Sequence, residues 1–332
     1  MNTPAAGTPL IEVSGLKKYF PVKRGVLARH VADVKAVDGV SFVIQPQETL
    51  SLVGESGCGK TTCGRTLLRL LEPTAGSVRY SPEKGPALDL FSLPRAEMRR
   101  VRRDLQIIFQ DPYSSLNPRM TVGNIVGEAL LVHKICTKHD VADTVADLLV
   151  RVGLHADSRN RFPHEFSGGQ RQRVGIARAL ALGPRLVVCD EAVSALDVSI
   201  QAQVLNLLKD LQEEFKLGYL FIAHDLSVVR YLSDRIAVMY LGRIVEIGTT
   251  AEIFENPQHP YTQALLSAVP HADPGAKSCR VPLSGDVPSP MNPPAGCHFA
   301  PRCPVSEARC TQSYPEHRSA SETHRVACHL FD

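Results

Sequence analysis

Glu48-Thr49-Leu50-Ser51-Leu52-Val53-Gly54-Glu55-Ser56-Gly57-Cys58-Gly59-Lys60-Thr61 decides the fold. The run from Glu48 to Val53 is short, apolar and stopped by a glycine, which predicts a strand. Thr61 to Leu71 has helical spacing and stops before Pro73 and Gly76. Between them, Gly54 to Thr61 fits G-x-x-x-x-G-K-[ST], in the strand-to-helix context that marks a phosphate-binding loop. Its glycines let the backbone wrap phosphates with N–H groups. Lys60 supplies charge to the β- and γ-phosphates, and the Thr61 hydroxyl can ligate Mg²⁺. The bland alternative is a glycine turn with a surface lysine, which would not need the whole motif.

Outward from this stretch, Leu10–Val13, Val40–Ile44, Leu105–Phe109, Leu186–Cys189 and Leu220–Ile222 read as strands. The basic stretch Lys23–His30 reads as a loop. Thr121–Val132, Val141–Val152 and Ile200–Phe215 read as helices. Ile236–Tyr240 and Arg243–Ile247 flank Leu241-Gly242, a hairpin signal. Strands alternating with helices imply a mainly parallel sheet in an α/β fold. Candidate functional residues cluster just after strand ends, where such sheets bind ligands.

Phe166-Ser167-Gly168-Gly169-Gln170 is a second glycine signal, before a helical run from Arg171 to Leu182. Free N–H groups and the helix dipole make such a start an anion site. Two phosphate-seeking helix starts on one chain exceed the needs of one nucleotide. Two chains facing each other could use one from each.

Leu186 to Cys189 is followed by Asp190-Glu191. Asp190 can hold the Mg²⁺ shell, and Glu191 can polarise an attacking water, a role typically worth ~10²–10⁴ in rate. Gln110 and His224 each follow a strand. Gln110 can reach the metal or the water, and His224 the γ-phosphate. In isolation each has a plainer reading: a strand-to-turn boundary, a solvated glutamine, a structural histidine.

The chain has 332 residues and a net charge of +3, room for an α/β domain with an appendage and too mild a charge for a general nucleic-acid surface. No apolar run reaches the ~18 residues that span a bilayer. Met1 to Pro9 lacks the pattern of a secretory signal, so the chain reads as cytosolic. Its nine cysteines are then thiols or metal ligands rather than disulfides.

In order, Gly54–Thr61, Gln110, Phe166–Gln170, Asp190-Glu191, Ser194-Ala195-Leu196-Asp197 and His224 resemble the Walker A loop, Q-loop, signature, Walker B, D-loop and switch histidine of ABC-type ATPases. The resemblance covers roughly residues 10–255. It implies a P-loop ABC-type ATPase core, with an antiparallel β subdomain and a helical subdomain at about 111–180 that touches a membrane partner. It implies ATP and Mg²⁺ held by Gly54, Glu55, Ser56, Gly57, Cys58, Gly59, Lys60, Thr61, Thr62, Gln110 and Asp190. Thr61, Gln110 and Asp190 would be the Mg²⁺ ligands; Glu191, His224 and Gln110 would serve catalysis. In a head-to-tail dimer, Ser167, Gly168, Gly169, Gln170 and Asp197 would face the nucleotide of the partner. Phe20, or alternatively Tyr19, matches the aromatic that stacks on adenine. Ala192 departs from the proline of many relatives, which alters loop stiffness more than chemistry.

Asn117-Pro118-Arg119-Met120, Pro163-His164-Glu165, Asn256–Thr262 with Ala264–Pro270, Pro288-Ser289-Pro290 and Pro293–Cys297 narrow the resemblance to ATP-binding subunits of bacterial dipeptide and oligopeptide importers. That branch implies a heterodimer with a second ATPase subunit, two membrane permease subunits and an external peptide-binding protein. It places the chain peripherally on the cytoplasmic face of the inner membrane. Importers of nickel, glutathione or oligosaccharides share these motifs. A soluble ABC ATPase acting on DNA or ribosomes is a further alternative; such proteins usually carry two cores or a long coiled coil, and no long heptad run occurs here.

From about residue 256 to 332 the chain turns rich in Pro, His, Ser and Cys, with one helical run from Tyr261 to Ala268 and too few apolar residues for a core of its own. Residues 1–9 read as a disordered tail. Cys297, Cys303, Cys310 and Cys328 are spaced C-x5-C-x6-C-x17-C, unlike a zinc ribbon. Such a segment needs a staple to order, and four cysteines are the usual ligands of a [4Fe–4S] cluster. The importer resemblance implies that cluster here, in a loop-rich metal-binding extension. Zinc, with His298 or His329 as substitutes, and four free thiols are the alternatives. Cys58, Cys63, Cys136, Cys189 and Cys279 read as fillers. Arg99-Arg100-Val101-Arg102-Arg103 reads as a solvated face. The loop from Lys23 to Lys35 reads equally as a permease or membrane contact and as a solvated hairpin tip.

Overall fold

Leu186–Asp190 is buried along its whole length and pairs in parallel with Leu105–Ile108 and with Gly218–Ile222. A strand covered on both faces needs an unbroken apolar run, which is why these segments are legible in the sequence. In the computed structural model, which describes residues 7–25, 29–268 and 285–331, the three strands belong to a unit made of Ser92–Ile222 with Gln45–Glu48 and the chain up to Leu10. Its longer helices are Val122–Val132, Val141–Arg151, Gly168–Leu180 and Val198–Phe215. Thr121 starts the first by accepting from the Asn124 amide, and Asp197 starts the last by accepting from Ile200. Each such cap contributes about 1 kcal/mol.

The second unit holds Ile11–Ile44, Thr49–Phe91 and the chain from Ala223 onward. Thr49–Val53 runs parallel to Arg235–Tyr240, which forms a hairpin with Arg243–Thr249. Leu241 and Gly242 both have positive φ (42° and 80°), as a tight two-residue turn demands. The antiparallel sheet of this unit pairs Ile11–Arg24 with Arg29–Ile44 and with Ala75–Tyr80, and Leu88–Asp89 follows at its edge.

Several expectations shift. The Lys23–His30 stretch is not a loop in its described part: Lys23 pairs with His30, and Arg24 with Arg29. Four register shifts along this ladder break the two-residue alternation that marks a strand, so only its ends are legible. Residues 26–28 of the basic segment lie outside the described residues. The helix expected over Thr61–Leu71 is Lys60–Leu67; it stops because Arg69 turns to φ 50°. The helix expected from Arg171 starts at Gly168, on a capping box between Ser167 and Gln170. The arginines of 99–103 are exposed around a helix, Arg95–Val101, whose Met98 and Val101 are buried. Most of the tail proposed for residues 1–9, the Cys279 loop and Val269-Pro270 lie outside the described residues.

The C-terminal extension orders by borrowing a core. Arg325–Val326 adds to the edge of Arg243–Thr249. Phe299, 1 % exposed, packs on the rings of Tyr240 and Tyr261, at 5.3 and 5.4 Å between centroids. Glu246, fully buried, accepts from the Gln258 and His259 amides at 2.7 and 2.9 Å and meets His324 Nε2 at 2.7 Å.

Candidate nucleotide-binding site

The phosphate loop lies in the second unit. Gly54, Gly57 and Gly59 have φ of 152°, 80° and 107°. A Cβ on Gly54 would stand 2.1 Å from the Met239 carbonyl oxygen, and one on Gly59 would stand 2.0 Å from that of Ala36. Only glycine fits both positions, in conformation and in space. Lys60 is buried; its Nζ donates to the carbonyls of Gly54 (2.8 Å) and Glu55 (3.0 Å). The ammonium thus lies inside the curl of the loop, where a phosphate's charge would be met. Thr61 and Thr62 follow, half-buried, in the first turn of the helix. Ser56 and Gly57 are exposed at the tip, and Cys58 is buried, its thiol pushed up by that burial.

Glu55 is anchored rather than open. Its amide donates to the Tyr261 hydroxyl at 2.8 Å, and its carboxylate accepts two bonds from Arg302, at 2.7 and 3.0 Å. Neither partner is legible from sequence, because they lie 206 and 247 residues away. Tyr19 and Phe20 also separate. The Tyr19 hydroxyl donates to Asp38, and burial with that carboxylate pushes it up to about 12. Phe20 is exposed, with Lys18 Nζ 4.8 Å over its ring. A ring open to solvent suits adenine stacking. His224 is exposed just beyond Gly218–Ile222, and Asp225 caps the next helix, Leu226–Leu232.

The first unit holds the carboxylates. Asp190 is fully buried at the end of its strand. Glu191 has φ 49°, strained for a side chain of its length, and its amide donates to the Ile222 carbonyl at 3.0 Å. Gln110 Nε2 donates to Glu191 Oε2 at 2.7 Å. The structure therefore brings the glutamine and the glutamate together, although 81 residues separate them.

The signature segment lies in the same unit. Ser167 Oγ accepts from the Gln170 amide, and Gln170 Oε1 accepts from the Ser167 amide. With those bonds made, the first-turn amides of Gly168 and Gly169 have no partner within the helix by construction. Ser167 is exposed and Gly169 buried, where its Cβ would stand 2.4 Å from Ile200 Cγ2. Asp197 is held low by the Ser199 hydroxyl and the Ile200 amide, so it carries its charge at the helix start.

In the extension, Cys297, Cys303, Cys310 and Cys328 line one cavity with Phe299 and His329. Burial pushes the Cys297 thiol up to about 11, with Cys328 and Cys310 adding to it. Among the described residues, no three His, Cys, Asp or Glu side chains stand in the geometry that holds a single metal ion. Cys63 and Cys189 are buried fillers, and Cys136 is half-buried.

Two family models match the chain: "ABC transporter" over residues 37–194 and "Oligopeptide/dipeptide transporter, C-terminal region" over residues 245–310. The oligopeptide transport ATP-binding protein AppF of Bacillus subtilis is 52 % identical over 99 % of this chain and 99 % of its own length. The dipeptide transport ATP-binding protein DppF of Haemophilus influenzae is 48 % identical over 100 % of this chain and 99 % of its own. Among solved structures, a dimeric post-hydrolysis state of the ATP-binding cassette MJ0796, bound to ADP and Pi, matches at a TM-score of 0.63 and 27 % identity, over 72 % of this chain and 98 % of that one.

Proposed function

The chain belongs to the ABC transporter family, among the ATP-binding proteins of oligopeptide and dipeptide transport, and from that premise we propose that it hydrolyses ATP to energise import of di- and oligopeptides through a membrane permease. The observation that carries the reading is the phosphate loop itself: glycines that admit no Cβ curl around a buried lysine whose ammonium is held by the loop's own carbonyls.

In this reading the amides of Gly54–Thr61 and the Lys60 ammonium bind the β- and γ-phosphates. Thr61 and Asp190 are hard oxygen donors of the kind Mg²⁺ takes, with Gln110 as a third ligand, and the ion would neutralise phosphate charge. Glu191 orients the attacking water and accepts its proton, Gln110 holds the Glu191 carboxylate in place, and His224 hydrogen-bonds the γ-phosphate. Phe20 stacks on the adenine. Ser167, Gly168, Gly169, Gln170 and Asp197 serve the nucleotide held by a second, homologous ATPase subunit. The dimeric state of the MJ0796 cassette supports that arrangement.

The boundaries follow the same logic: a short tail at 1–9, a cassette at 10–255 with its helical subdomain at about 111–180, and an extension at 256–332. The partners are a second ATPase, two permease subunits and, through them, an external peptide-binding protein, on the cytoplasmic face of the membrane. No helix among the described residues is long and apolar enough to cross a bilayer, which fits a peripheral subunit. For the extension we propose a [4Fe–4S] cluster, a reading supported by the four cysteines that line one cavity. Bound there, the cluster would cross-link four points of a segment poor in apolar residues.

Copurification with two permeases, and ATP hydrolysis stimulated by peptide in that complex, tests the reading. A protein that purifies with nucleic acid and no permease sinks it.

A further inference from the structure

The phosphate loop and the C-terminal extension meet at one residue. Glu55, the second residue of the loop, is held on three sides. Its carbonyl accepts from Lys60 Nζ at 3.0 Å, its amide donates to Tyr261 Oη at 2.8 Å, and its carboxylate takes the two-pronged grip of Arg302 at 2.7 and 3.0 Å. Two of those three holds come from beyond residue 256, from a helix, Pro260–Ser267, and from the tight turn Ala300–Arg302.

We propose that Arg302 is a positioning residue for nucleotide binding: acting through Glu55, it fixes the phosphate loop, so that the extension sets this chain's affinity for nucleoside triphosphate. Arg302 is 6 % exposed and the Glu55 side chain 28 %, so the pair is part-buried rather than the fully exposed kind that contributes little. A bidentate guanidinium–carboxylate pair also fixes orientation as well as distance. The Nε of Arg302 is buried with no hydrogen-bond partner among the described residues. A guanidinium so placed is a poor device for stability, since burying it is only partly offset. It is a good device for geometry. The charge matters as well: an unpaired Glu55 carboxylate would repel a triphosphate in the same loop.

The anchor is continuous with the wall of the cysteine cavity. Arg302 precedes Cys303 in the chain, and Arg302 Nη1 donates to the Tyr240 hydroxyl at 3.4 Å. Tyr240 and Tyr261 pack with their rings tilted, 4.7 Å between centroids, and both pack on Phe299, which lines the cavity with Cys297 and Cys303. One rigid aromatic block thus carries the cavity wall on one side and both anchors of Glu55 on the other. Whatever orders the cavity also orders the loop.

The inference rests on the reading of the loop as an ATP site. The test uses the full chain: the Kd for MgATP and the nucleotide-free melting temperature, for the wild type, Arg302→Ala, Arg302→Lys, and Glu55→Gln with and without Arg302→Ala. The expected result is roughly tenfold weaker binding in Arg302→Ala, a partial loss in Arg302→Lys because charge survives without the fork, and no further loss in the double variant beyond Glu55→Gln alone. Wild-type affinity in Arg302→Ala, or losses that add in the double variant, overturns it. If Arg302→Ala does not fold, Arg302→Lys decides, and wild-type affinity there overturns the inference. A wild type that does not bind MgATP at all defeats the ATP reading instead, which Lys60→Ala controls separately.

Discussion

Gln110 Nε2 donates a 2.7 Å hydrogen bond to Glu191 Oε2, joining residues that lie just beyond two neighbouring parallel strands. The bond holds a carboxylate whose backbone sits at φ 49°. In the proposed role of general base, a carboxylate held this way would be positioned before any water arrives.

Glu191→Gln therefore lowers kcat by about 10²-fold or more while the Kd for ATP stays near wild type. Gln110→Ala lowers it less, roughly tenfold, because the carboxylate remains but wanders. Single-turnover hydrolysis in the assembled complex separates the two. Wild-type kcat in Glu191→Gln would remove that residue from the mechanism.

The signature predicts a different split. Ser167→Ala removes a cap worth about 1 kcal/mol and a hydroxyl facing outward. Hydrolysis by the assembled pair of ATPases should fall, whereas MgATP binding to the isolated chain should not, because in the proposed arrangement the affected nucleotide belongs to the partner. Gly169→Ala is harsher: its Cβ would press on Ile200 Cγ2, a stiff branched position, and destabilise by about 1–3 kcal/mol in thermal melts. Equal loss of ATP binding in the isolated Ser167→Ala chain would contradict a role across the interface.

Much of this was open to reading in the sequence. The phosphate loop, the apolar strands and the two carboxylates are local patterns, each complete within a dozen residues. The long hairpin of Ile11–Arg24 and Arg29–Ile44 was not, because bulges break its alternation. The Gly168 start of the signature helix was hidden because glycines carry no helical signal, and a reciprocal cap overrides their poor propensity. The grip on Glu55 was beyond reach, since a contact between residues 55 and 302 leaves no periodic trace. The extension, poor in apolar residues, gave no hint that its order would come from Tyr240, Tyr261 and the edge of a neighbouring strand.

Glu252 ties the extension down through charge. Partial burial works against its ionised form, but the Ser321 hydroxyl, the Thr249 amide and the Thr323 hydroxyl outweigh that and bring the carboxyl down to about 2. The folded value lies below the unfolded one near 4.5, so the stabilisation is whole above pH 4.5 and is lost as pH falls toward 2. With the group partly in solvent, about 1 kcal/mol is at stake. Melting temperatures across pH 5 to 3 should fall less steeply in Glu252→Gln than in wild type; parallel curves would refute the assignment.

The cysteines make a prediction about metal. Protein prepared anaerobically should hold iron and acid-labile sulfide in equal amounts, with visible absorption that fades on reduction. Replacing any one of Cys297, Cys303, Cys310 or Cys328 with serine should lower the iron content and the melting temperature, whereas Cys189→Ser should leave the iron unchanged. Zinc without sulfide would replace the cluster by the simpler ion; neither metal would leave four thiols around an empty cavity.

Whether this chain turns ATP hydrolysis into peptide import is read from ATP hydrolysis by the purified complex in lipid vesicles, with and without peptide and its binding protein. Hydrolysis should rise when both are added and disappear in Glu191→Gln. Hydrolysis indifferent to peptide, or surviving intact in Glu191→Gln, would contradict that coupling.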